Sequence, residues 1–430
     1  MSTNVLLLGS GGREHAIAWK LAQSPDLGTL TSAPGNPGIS EYGDTVEGLD
    51  IDHAGAVVAA AQELRADLVV VGPEAPLAAG VADALRDEGV PVFGPSRAAA
   101  EIEWSKSFAK ELMAGAGIPS GRAAMFEDFD MAIAYAYSRP GPCVVKADGL
   151  AAGKGVVVCD TTEEAVAAIE AAMLGRAFGD AGARVLIEER LSGPETSAHA
   201  FTDGTTVAHM PFSCDHKPVF DGDEGPNTGG MGVYSPPGWL ADDDATWIQR
   251  EVTERAVAAL AASRREYRGV LYPGMMITAD GPRVIEFNCR MGDPEAEALL
   301  PRLTSDLLAI CEGVAHGHLA EVPVAWDDDA TVGVVMASGG YPGSYETGKP
   351  ITGVEDVDDD VQVFLAGAAR DADGTLVTSG GRVLCVVAKA SALGEARERA
   401  YDNVGRIHFD GAHYRTDIAG PARVASGRGL

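Results

Sequence analysis

The chain has 430 residues, which at ~150 residues per domain predicts three domains. Its 33 basic and 63 acidic residues give a formal net charge of −30, which argues against binding to nucleic acid or to an anionic membrane surface. Hydrophobic residues make up 46% of the chain, enough for a folded core, and no apolar run approaches the ~18 residues of a membrane span. The first residues lack the basic segment and cleavage pattern of a signal peptide. We therefore expect a folded, soluble protein of the cytoplasm.

The cysteine and lysine content points to the same compartment. The six cysteines form neither a CxxC pair nor a zinc-type cluster with histidine, so we expect buried thiols in a reducing environment. Only eight of the basic residues are lysines. The aspartate runs at 242–244, 327–329 and 358–360 are each expected to be a solvated loop or a helix start. Such a surface repels itself in dilute buffer, whereas ~1 M salt screens the repulsion. The composition therefore favours a halophilic protein and makes each lysine a candidate for a specific role.

Strands and helices alternate in the first part of the chain. Apolar periodicity predicts, in chain order, a strand at 5–8, a helix at 13–23, a strand at 67–71, a helix at 77–87 and a strand at 91–93. This alternation predicts a parallel, Rossmann-like sheet, which binds ligands at the carboxyl ends of its strands.

Polar turns follow these strands at the edge where a ligand would bind. Residues 9–15, Gly-Ser-Gly-Gly-Arg-Glu-His, lead into a helix whose free N–H groups can hold a phosphate, although an ordinary tight turn fits them equally well. A dinucleotide fingerprint requires a third glycine in place of Glu14, which weakens a dehydrogenase interpretation. The turns at 33–36 and 72–74 would meet the first one at the same edge of the sheet.

From residue 103 the pattern changes to longer helices and antiparallel strands. The predicted elements are, in order, a helix at 105–114, a β-hairpin at 144–158, a helix at 162–173, a strand at 185–189, a helix at 242–264 and strands at 270–278 and 284–288. A glycine-rich hairpin can fold over a polyphosphate, and Lys146 and Lys154 would supply its counter-charge. The strand that ends at Glu189 is typical of a hinge whose backbone reads an adenine edge. Beyond an acidic linker at 327–329, strands at 332–336 and 382–387 predict a C-terminal α+β module.

The segment 285–290 alternates with period two, so Glu286, Asn288 and Arg290 share one face of a strand. A carboxylate and an amide oxygen on one face can bind Mg²⁺, with nucleotide oxygens and water completing the coordination. Arg290 beside them suits an anionic group of a substrate. Together with the hairpin, this strand predicts an enzyme that uses Mg·ATP. The long polar loop at 215–232 is expected to be a mobile cover over the substrate.

Several motifs together carry a resemblance to a known family. They lie at 11–16 (Gly-Gly-Arg-Glu-His-Ala), 33–36, 71–77, 146–155, 225–232, 286–295 and 379–385. The chain resembles the phosphoribosylamine–glycine ligase family of the ATP-grasp superfamily. The resemblance implies an α/β protein with an N-terminal parallel-sheet domain (1–102), an ATP-grasp domain of two α+β subdomains (103–326, with a lid at about 123–195) and a small C-terminal α+β domain (327–430).

The same resemblance implies the reaction. ATP, glycine and 5-phospho-β-D-ribosylamine would give glycinamide ribonucleotide, ADP and phosphate through glycyl phosphate, in de novo purine (IMP) biosynthesis. It also implies a monomer that could receive the labile amine in a transient hand-off from the upstream amidotransferase. Alternatives that stay open are another ATP-grasp carboxylate–amine ligase or a carboxylase subunit. A nicotinamide dehydrogenase and a non-catalytic nucleotide sensor fit the motifs less well.

Residue roles follow from the resemblance motif by motif. The metal, Mg²⁺ or Mn²⁺, would be held by Glu286 and Asn288. ATP would be contacted by Lys106, Lys146, Glu188, Glu189, Leu191 and Glu195, the last at the ribose. The ribosylamine pocket would be lined by Gly11, Gly12, Arg13, Asn36 and Glu74. The residues expected to act in catalysis are Arg290, Lys146, Lys154 in the closing loop, and Asp293.

Glycine would be oriented by Arg290 and Asp293, and less clearly by Asp215. The chain departs from the family pattern at Pro218 and Gly222, where basic residues are common, and at 291 and 296–297. These departures bear on the 215–224 loop and on the edge of the glycine pocket.

Overall fold

The computed structural model describes residues 2–149, 155–177 and 179–420. Its N-terminal part contains, in chain order, β1 (Thr3–Gly9), α1 (Gly12–Leu21), β2 (Leu27–Pro34), β3 (Asp44–Thr45), α2 (Ala54–Glu63), β4 (Leu68–Val71), α3 (Glu74–Ala79), α4 (Val81–Asp87) and β5 (Val92–Phe93). The strands form one parallel sheet in the order β3-β2-β1-β4-β5, which confirms the predicted sheet.

Both faces of this sheet are buried, as its continuous apolar strands predict. On β1, Leu6 packs into one core with Val57 of α2, whereas its neighbour Leu7 packs into another with Ile17 of α1. The single helix predicted at 77–87 is wrong. Gly80 has a φ of +86° and ends α3, so the segment forms two short helices instead of one.

A second sheet follows two connecting helices. The elements are α5 (Arg97–Trp104), α6 (Lys106–Ala116), β6 (Ala123–Phe126), α7 (Phe129–Ser138), β7 (Cys143–Ala147), β8 (Val156–Cys159), α8 (Thr162–Met173) and β9 (Val185–Glu189). The strands pair antiparallel in the order β6-β9-β7-β8, and α7 and α8 share a core with them. The predicted hairpin, helix and strand are confirmed here. The hairpin turn at 150–154, which includes Lys154, lies outside the described residues.

A third sheet follows in the chain. This part of the chain contains β10 (Glu195–Ser197), β11 (Ala200–Thr202), β12 (Val207–His209), β13 (Cys214–Asp215), β14 (Pro218–Phe220), β15 (Glu224–Asn227), β16 (Gly232–Ser235), α9 (Asp242–Ile248), α10 (Arg255–Ala262), β17 (Gly269–Thr278) and β18 (Gly281–Asn288). The strands run in the order β10-β17-β11-β12, with β18 paired to β17. A π-helical segment, Gln249–Glu254, joins α9 to α10. The helix predicted at 242–264 is therefore confirmed as one continuous helical segment that ends at Ala262.

The C-terminal sheet takes strands from two separate parts of the chain. The remaining elements are α11 (Glu295–Leu299), α12 (Leu307–His316), β19 (Ala330–Ala337), β20 (Gln362–Leu365), β21 (Ala368–Arg370), β22 (Leu376–Thr378), β23 (Arg382–Ala390) and α13 (Leu393–Val404). The sheet order is β13-β16-β19-β23-β20, so two strands that precede residue 327 pair with three that follow it. Helix α13 packs against β19 and β23.

The acidic runs lie mostly at the surface, in loops or at a helix start as the sequence predicts, and some of their carboxylates are paired. The Asp327 carboxylate lies 2.6 Å from Lys389 Nζ, and the Asp358 carboxylate lies 2.8 Å from Arg406 Nη1. The run at 242–244 begins α9, where carboxylates stabilise the helix dipole. Two of the three runs therefore make structural ion pairs.

All six cysteines are free thiols, and five of them are buried, as the sequence predicts. Among the described helices, none combines the length and the apolar character needed to cross a membrane.

Candidate active site

Two adjoining cavities, each of about 430 Å³, lie between the second and third sheets and the edge of the N-terminal sheet. Their walls share Lys146, Asp215, Lys217, Thr228 and Glu286. These shared side chains lie at the junction of the two cavities, which therefore form one cleft with two halves.

The first half has largely apolar walls and one polar edge. Val144, Val158 and Met276 line it, together with the segment 188–193 that follows β9. The backbone of Glu188 is already paired to both β6 and β7, and Glu189 N donates to Arg122 O at 2.9 Å. The backbone N–H and C=O groups that could hydrogen-bond to a planar base are therefore those just beyond β9, around Leu191.

The Glu188 side chain is buried between two lysines. Its carboxylate is 4% exposed and contacts both Lys110 Nζ and Lys146 Nζ, the latter at 2.7 Å. Lys146 Nζ also donates to Ile285 O at 3.0 Å. Glu188 thus holds Lys146 at the junction of the cleft. The neighbouring Glu189 carboxylate pairs with Arg122 at the surface, at 2.7 Å.

Lys106 enters the cleft from the start of α6. Its Nζ donates to Gly149 O at 3.4 Å, and burial lowers the pKa of its ammonium against the opposing effect of Glu286. Sequence reasoning did not single out Asp148, which ties this helix to the hairpin. Its carboxylate accepts from Lys106 N at 2.6 Å and from the Ser107 hydroxyl at 2.8 Å.

The second half of the cleft is lined by charges of both signs. Arg290 Nε lies 3.1 Å from Glu74 Oε2, and Arg290 Nη2 lies 2.9 Å from Glu103 Oε1. Burial alone would raise the pKa of Glu74, but the guanidinium groups of Arg290 and Arg13 lower it. Burial raises the pKa of Glu103. Sequence analysis missed Glu103, which lies on a helix with no motif around it.

Glu286 and Asn288, both on β18, line this half of the cleft. Neither side chain has a hydrogen-bond partner among the described residues, and Asn288 is 8% exposed. Hard carboxylate and amide oxygens of this kind suit Mg²⁺. No cluster of three or more metal-binding side chains occurs in the described ranges, so nucleotide oxygens would have to complete the coordination.

The predicted ribosylamine residues divide into two groups. Arg13 and Glu74 line the second cavity, whereas Gly11, Gly12 and Asn36 are not among its lining residues. The Asn36 amide donates to Ser10 O and Leu365 O, both at 2.8 Å, and its oxygen accepts from two backbone N–H groups. Asn36 therefore shapes the edge of the N-terminal sheet.

Three further groups of polar side chains border the cleft, one at the junction and two in its second half. Lys217 Nζ lies 2.9 Å from Asp215 Oδ2 and 3.8 Å from Glu195 Oε2. Tyr272 donates its hydroxyl proton to Glu295 at 2.6 Å, and burial raises the pKa of Glu295 to about 7. Asp293 is held at 3.0 Å by Arg382 of the C-terminal sheet. The scarcity of lysine was the signal that could have singled out Lys217.

Three family models match consecutive parts of the chain. They describe the N domain of phosphoribosylglycinamide synthetase at residues 3–103, its ATP-grasp (A) domain at 104–296 and its C domain at 331–421. The chain belongs to the phosphoribosylglycinamide synthetase family. It is an ATP-dependent ligase with phosphoribosylamine–glycine ligase activity in purine biosynthesis, and the family, fold class and activity predicted from sequence are confirmed.

Individual relatives agree with this family. A phosphoribosylamine–glycine ligase of Halalkalibacterium halodurans is 50% identical over 97% of either chain. One from Vibrio cholerae is 47% identical, covering 96% of this chain and 97% of that relative. The crystal structure of the Thermotoga maritima phosphoribosylamine–glycine ligase has a TM-score of 0.85 at 33% identity, covering 96% of this chain and 99% of that one. The biotin carboxylase domain of Hydrogenobacter thermophilus 2-oxoglutarate carboxylase shares the fold alone, with a TM-score of 0.74 at 16% identity over 96% of this chain and 92% of that one.

Proposed function

We propose that the cleft joins glycine to 5-phospho-β-D-ribosylamine and converts ATP to ADP and phosphate, with glycyl phosphate as the intermediate. The position of Glu286 is the observation that supports this proposal. Glu286 borders both halves of the cleft, the apolar half with its backbone edge near Leu191 and the charged half with Arg13 and Arg290. That arrangement suits transfer of a phosphoryl group from a nucleotide in one half to an acid in the other.

In the first step, an oxygen of the glycine carboxylate attacks the γ-phosphorus of ATP. The bond from that phosphorus to the β-γ bridging oxygen breaks, and ADP leaves. Lys146 and Lys106 are the ammonium groups that would neutralise the phosphate oxygens, and Lys154 would join them from the closing loop. Such a step depends mainly on positioning and charge neutralisation, which these lysines supply.

In the second step, the amine of the ribosylamine attacks the carbonyl carbon of glycyl phosphate. The carbon–oxygen bond to phosphate breaks, phosphate leaves, and the attacking nitrogen loses a proton. Arg13 and Glu74 would contact the ribosylamine, with Gly11, Gly12 and Asn36 shaping the turn around it. Arg290 and Asp293 would orient glycine. The Asp215 and Lys217 pair offers one charge of each sign, which complements a zwitterionic amino acid.

Glu286 and Asn288 would hold the divalent cation, either Mg²⁺ or Mn²⁺, since both metals accept hard oxygen ligands. When bound, the cation neutralises charge on the phosphate oxygens. The backbone near Leu191 would meet adenine, and Glu195 would accept from the ribose hydroxyls. Glu188 and Glu189 would act through the lysine and arginine that their carboxylates hold.

We also propose the domain boundaries 1–102, 103–326 and 327–430, with a lid at about 123–195. We further propose a cytoplasmic monomer that receives its labile amine in a transient hand-off from the upstream amidotransferase. The free thiols fit a reducing compartment.

The test is ADP release in molar KCl with Mg·ATP and glycine, with and without phosphoribosylamine generated from ribose 5-phosphate and ammonia. We expect release that requires both substrates. ADP release that does not depend on the ribosylamine would refute the substrate assignment and favour another carboxylate–amine ligase.

A further inference from the structure

A strap formed by residues 215–229 runs from the cleft to the C-terminal sheet. It contains β14 and β15, and Asp215, Lys217 and Thr228 at its two ends line both halves of the cleft. Thr228 donates from its backbone N–H and its hydroxyl to Lys217 O, at 2.8 and 2.7 Å, and so closes the base of the strap. A movement of the strap would therefore move the Asp215 and Lys217 ion pair.

The far end of the strap is clamped by one buried arginine. The Arg415 side chain is 1% exposed, and its Nη1 lies 3.0 Å from Pro218 O and 2.9 Å from Asp223 Oδ1. Its Nε and Nη2 form a bidentate pair with Asp417, both at 2.8 Å. Asp417 in turn accepts from Gly222 N at 2.8 Å. A single guanidinium thus connects β14 and the turn of the hairpin to the C-terminal segment.

Neighbours of Arg415 add further contacts from the same segment. Thr416 N donates to Asp221 Oδ1 at 2.8 Å, and His413 Nε2 donates to Val219 O at 2.8 Å. At the tip, Asp223 has a left-handed φ of +60°, a conformation that a non-glycine residue rarely adopts without contacts that hold it. These contacts tie the loop to the C-terminal segment, and its role as a mobile cover stays a prediction.

We propose that Arg415 is a positioning residue for the ligase reaction, which holds Lys217 and Asp215 at the junction of the cleft through the strap. The proposal rests on the proposed function, because it takes the reaction to occur between the two halves of the cleft. Arg415 lies 198 positions beyond Lys217 in the chain. Its side-chain partners among the described residues are Pro218, Asp223 and Asp417, none of which lines the cleft.

The experiment compares Arg415→Met with Arg406→Met. Arg406 lies in the same part of the chain and donates to Asp356 O and to Asp358, and in the described part of the chain its side chain has no hydrogen bond or ion pair to the strap. Hydrogen exchange of the backbone amides of Gly222 and Thr228 is measured in the full chain without substrates. Steady-state kinetics are then measured with each substrate varied in turn.

For Arg415→Met we expect exchange at least ~10-fold faster at these two amides, because the contacts that close the strap are lost. We expect kcat/KM for glycine to fall ~10–100-fold with a raised KM, since a small displacement of aligned groups is costly. Arg415→Lys keeps the charge without the bidentate fork, and we expect an intermediate effect. Arg406→Met should leave all of these quantities unchanged.

Unchanged exchange in Arg415→Met would overturn the clamp. Faster exchange with unaltered KM values and a uniformly lower kcat would overturn the positioning role, because that pattern reports only a smaller fraction of active enzyme. If Arg415→Met does not fold, Asp221→Ala removes the exposed contact to Thr416, and no change in exchange or in KM there would refute the proposal. A wild-type chain that makes no glycinamide product would refute the proposed function, whereas the exchange data would still decide the clamp.

Discussion

Replacing Glu188 tests how a buried carboxylate controls the ATP half of the cleft. Its side chain is 4% exposed and lies between Lys146 and Lys110, whose side chains are 7% and 17% exposed. In Glu188→Gln the amide oxygen can still accept one hydrogen bond, but two buried ammonium groups lose their counter-charge. Among the described residues, Lys146 keeps Ile285 O, while Lys110 keeps the Ser120 hydroxyl and Gly121 O.

Removing one partner of a buried ion pair costs ~3–5 kcal/mol, and the retained acceptor offsets part of that cost, so we expect a loss of ~2–4 kcal/mol in the free energy of unfolding. Burial already lowers the pKa of Lys110, and loss of the carboxylate would lower it further. The variant therefore loses positive charge near the phosphates as the pH rises. We expect its KM for ATP to increase, and to increase more at pH 9 than at pH 7.

The assays are urea denaturation and ATP kinetics at the two pH values. Glu189→Gln is the matched control for stability, because Glu189 is the next residue on β9 and its partner Arg122 is 81% exposed. An exposed pair of this kind contributes ~0–1 kcal/mol. Equal stability losses in the two variants, or a KM for ATP in Glu188→Gln that matches the wild type at both pH values, would refute the reasoning.

Four further predictions concern the rest of the cleft and the surface. Glu286→Ala should lower kcat at least ~100-fold at saturating Mg·ATP with an unchanged circular dichroism spectrum. The variant lacks the carboxylate that would hold the cation, so charge on the transferring phosphoryl group is less well neutralised. Near wild-type turnover would show that Glu286 is not part of the site. Arg290→Lys should lower kcat/KM for glycine ~10-fold, because an ammonium cannot bridge Glu74 and Glu103 as a guanidinium does, and an unchanged value would contradict that role. Burial raises the pKa of Glu295 to about 7 from 4.5, so the stability that protonated Glu295 contributes is present below pH 4.5 and is lost as the pH rises through 7. Glu295→Gln should therefore make the unfolding free energy less dependent on pH between pH 5 and pH 8. Parallel pH profiles for the variant and the wild type would exclude Glu295 as the cause. The net charge of −30 predicts higher thermal stability in ~1 M KCl than in dilute buffer, and equal melting temperatures would end the halophilic interpretation.

The local elements and the strand that carries the acidic site follow from the sequence itself. The helix Thr162–Met173 and the strand Val185–Glu189 have the bounds that their periodicity predicts. The alternation at 285–290 predicts one shared face for Glu286, Asn288 and Arg290. Glu286 and Asn288 lie on β18 and border the same cavity as Arg290, which lies two residues beyond the end of that strand.

Other features were decided by the tertiary structure. Glu103 meets Arg290 across 187 positions, Glu188 is enclosed by two lysines from other elements, and Arg415 reaches the strap from the end of the described chain. Strands β13 and β16 complete a sheet whose other members lie beyond residue 327. Hydrophobic periodicity reports which face of an element is buried, but it carries no information about which distant element covers that face. Partners for buried charges are therefore chosen only when the chain packs, since it is the loss of water around each charge that makes a particular partner necessary.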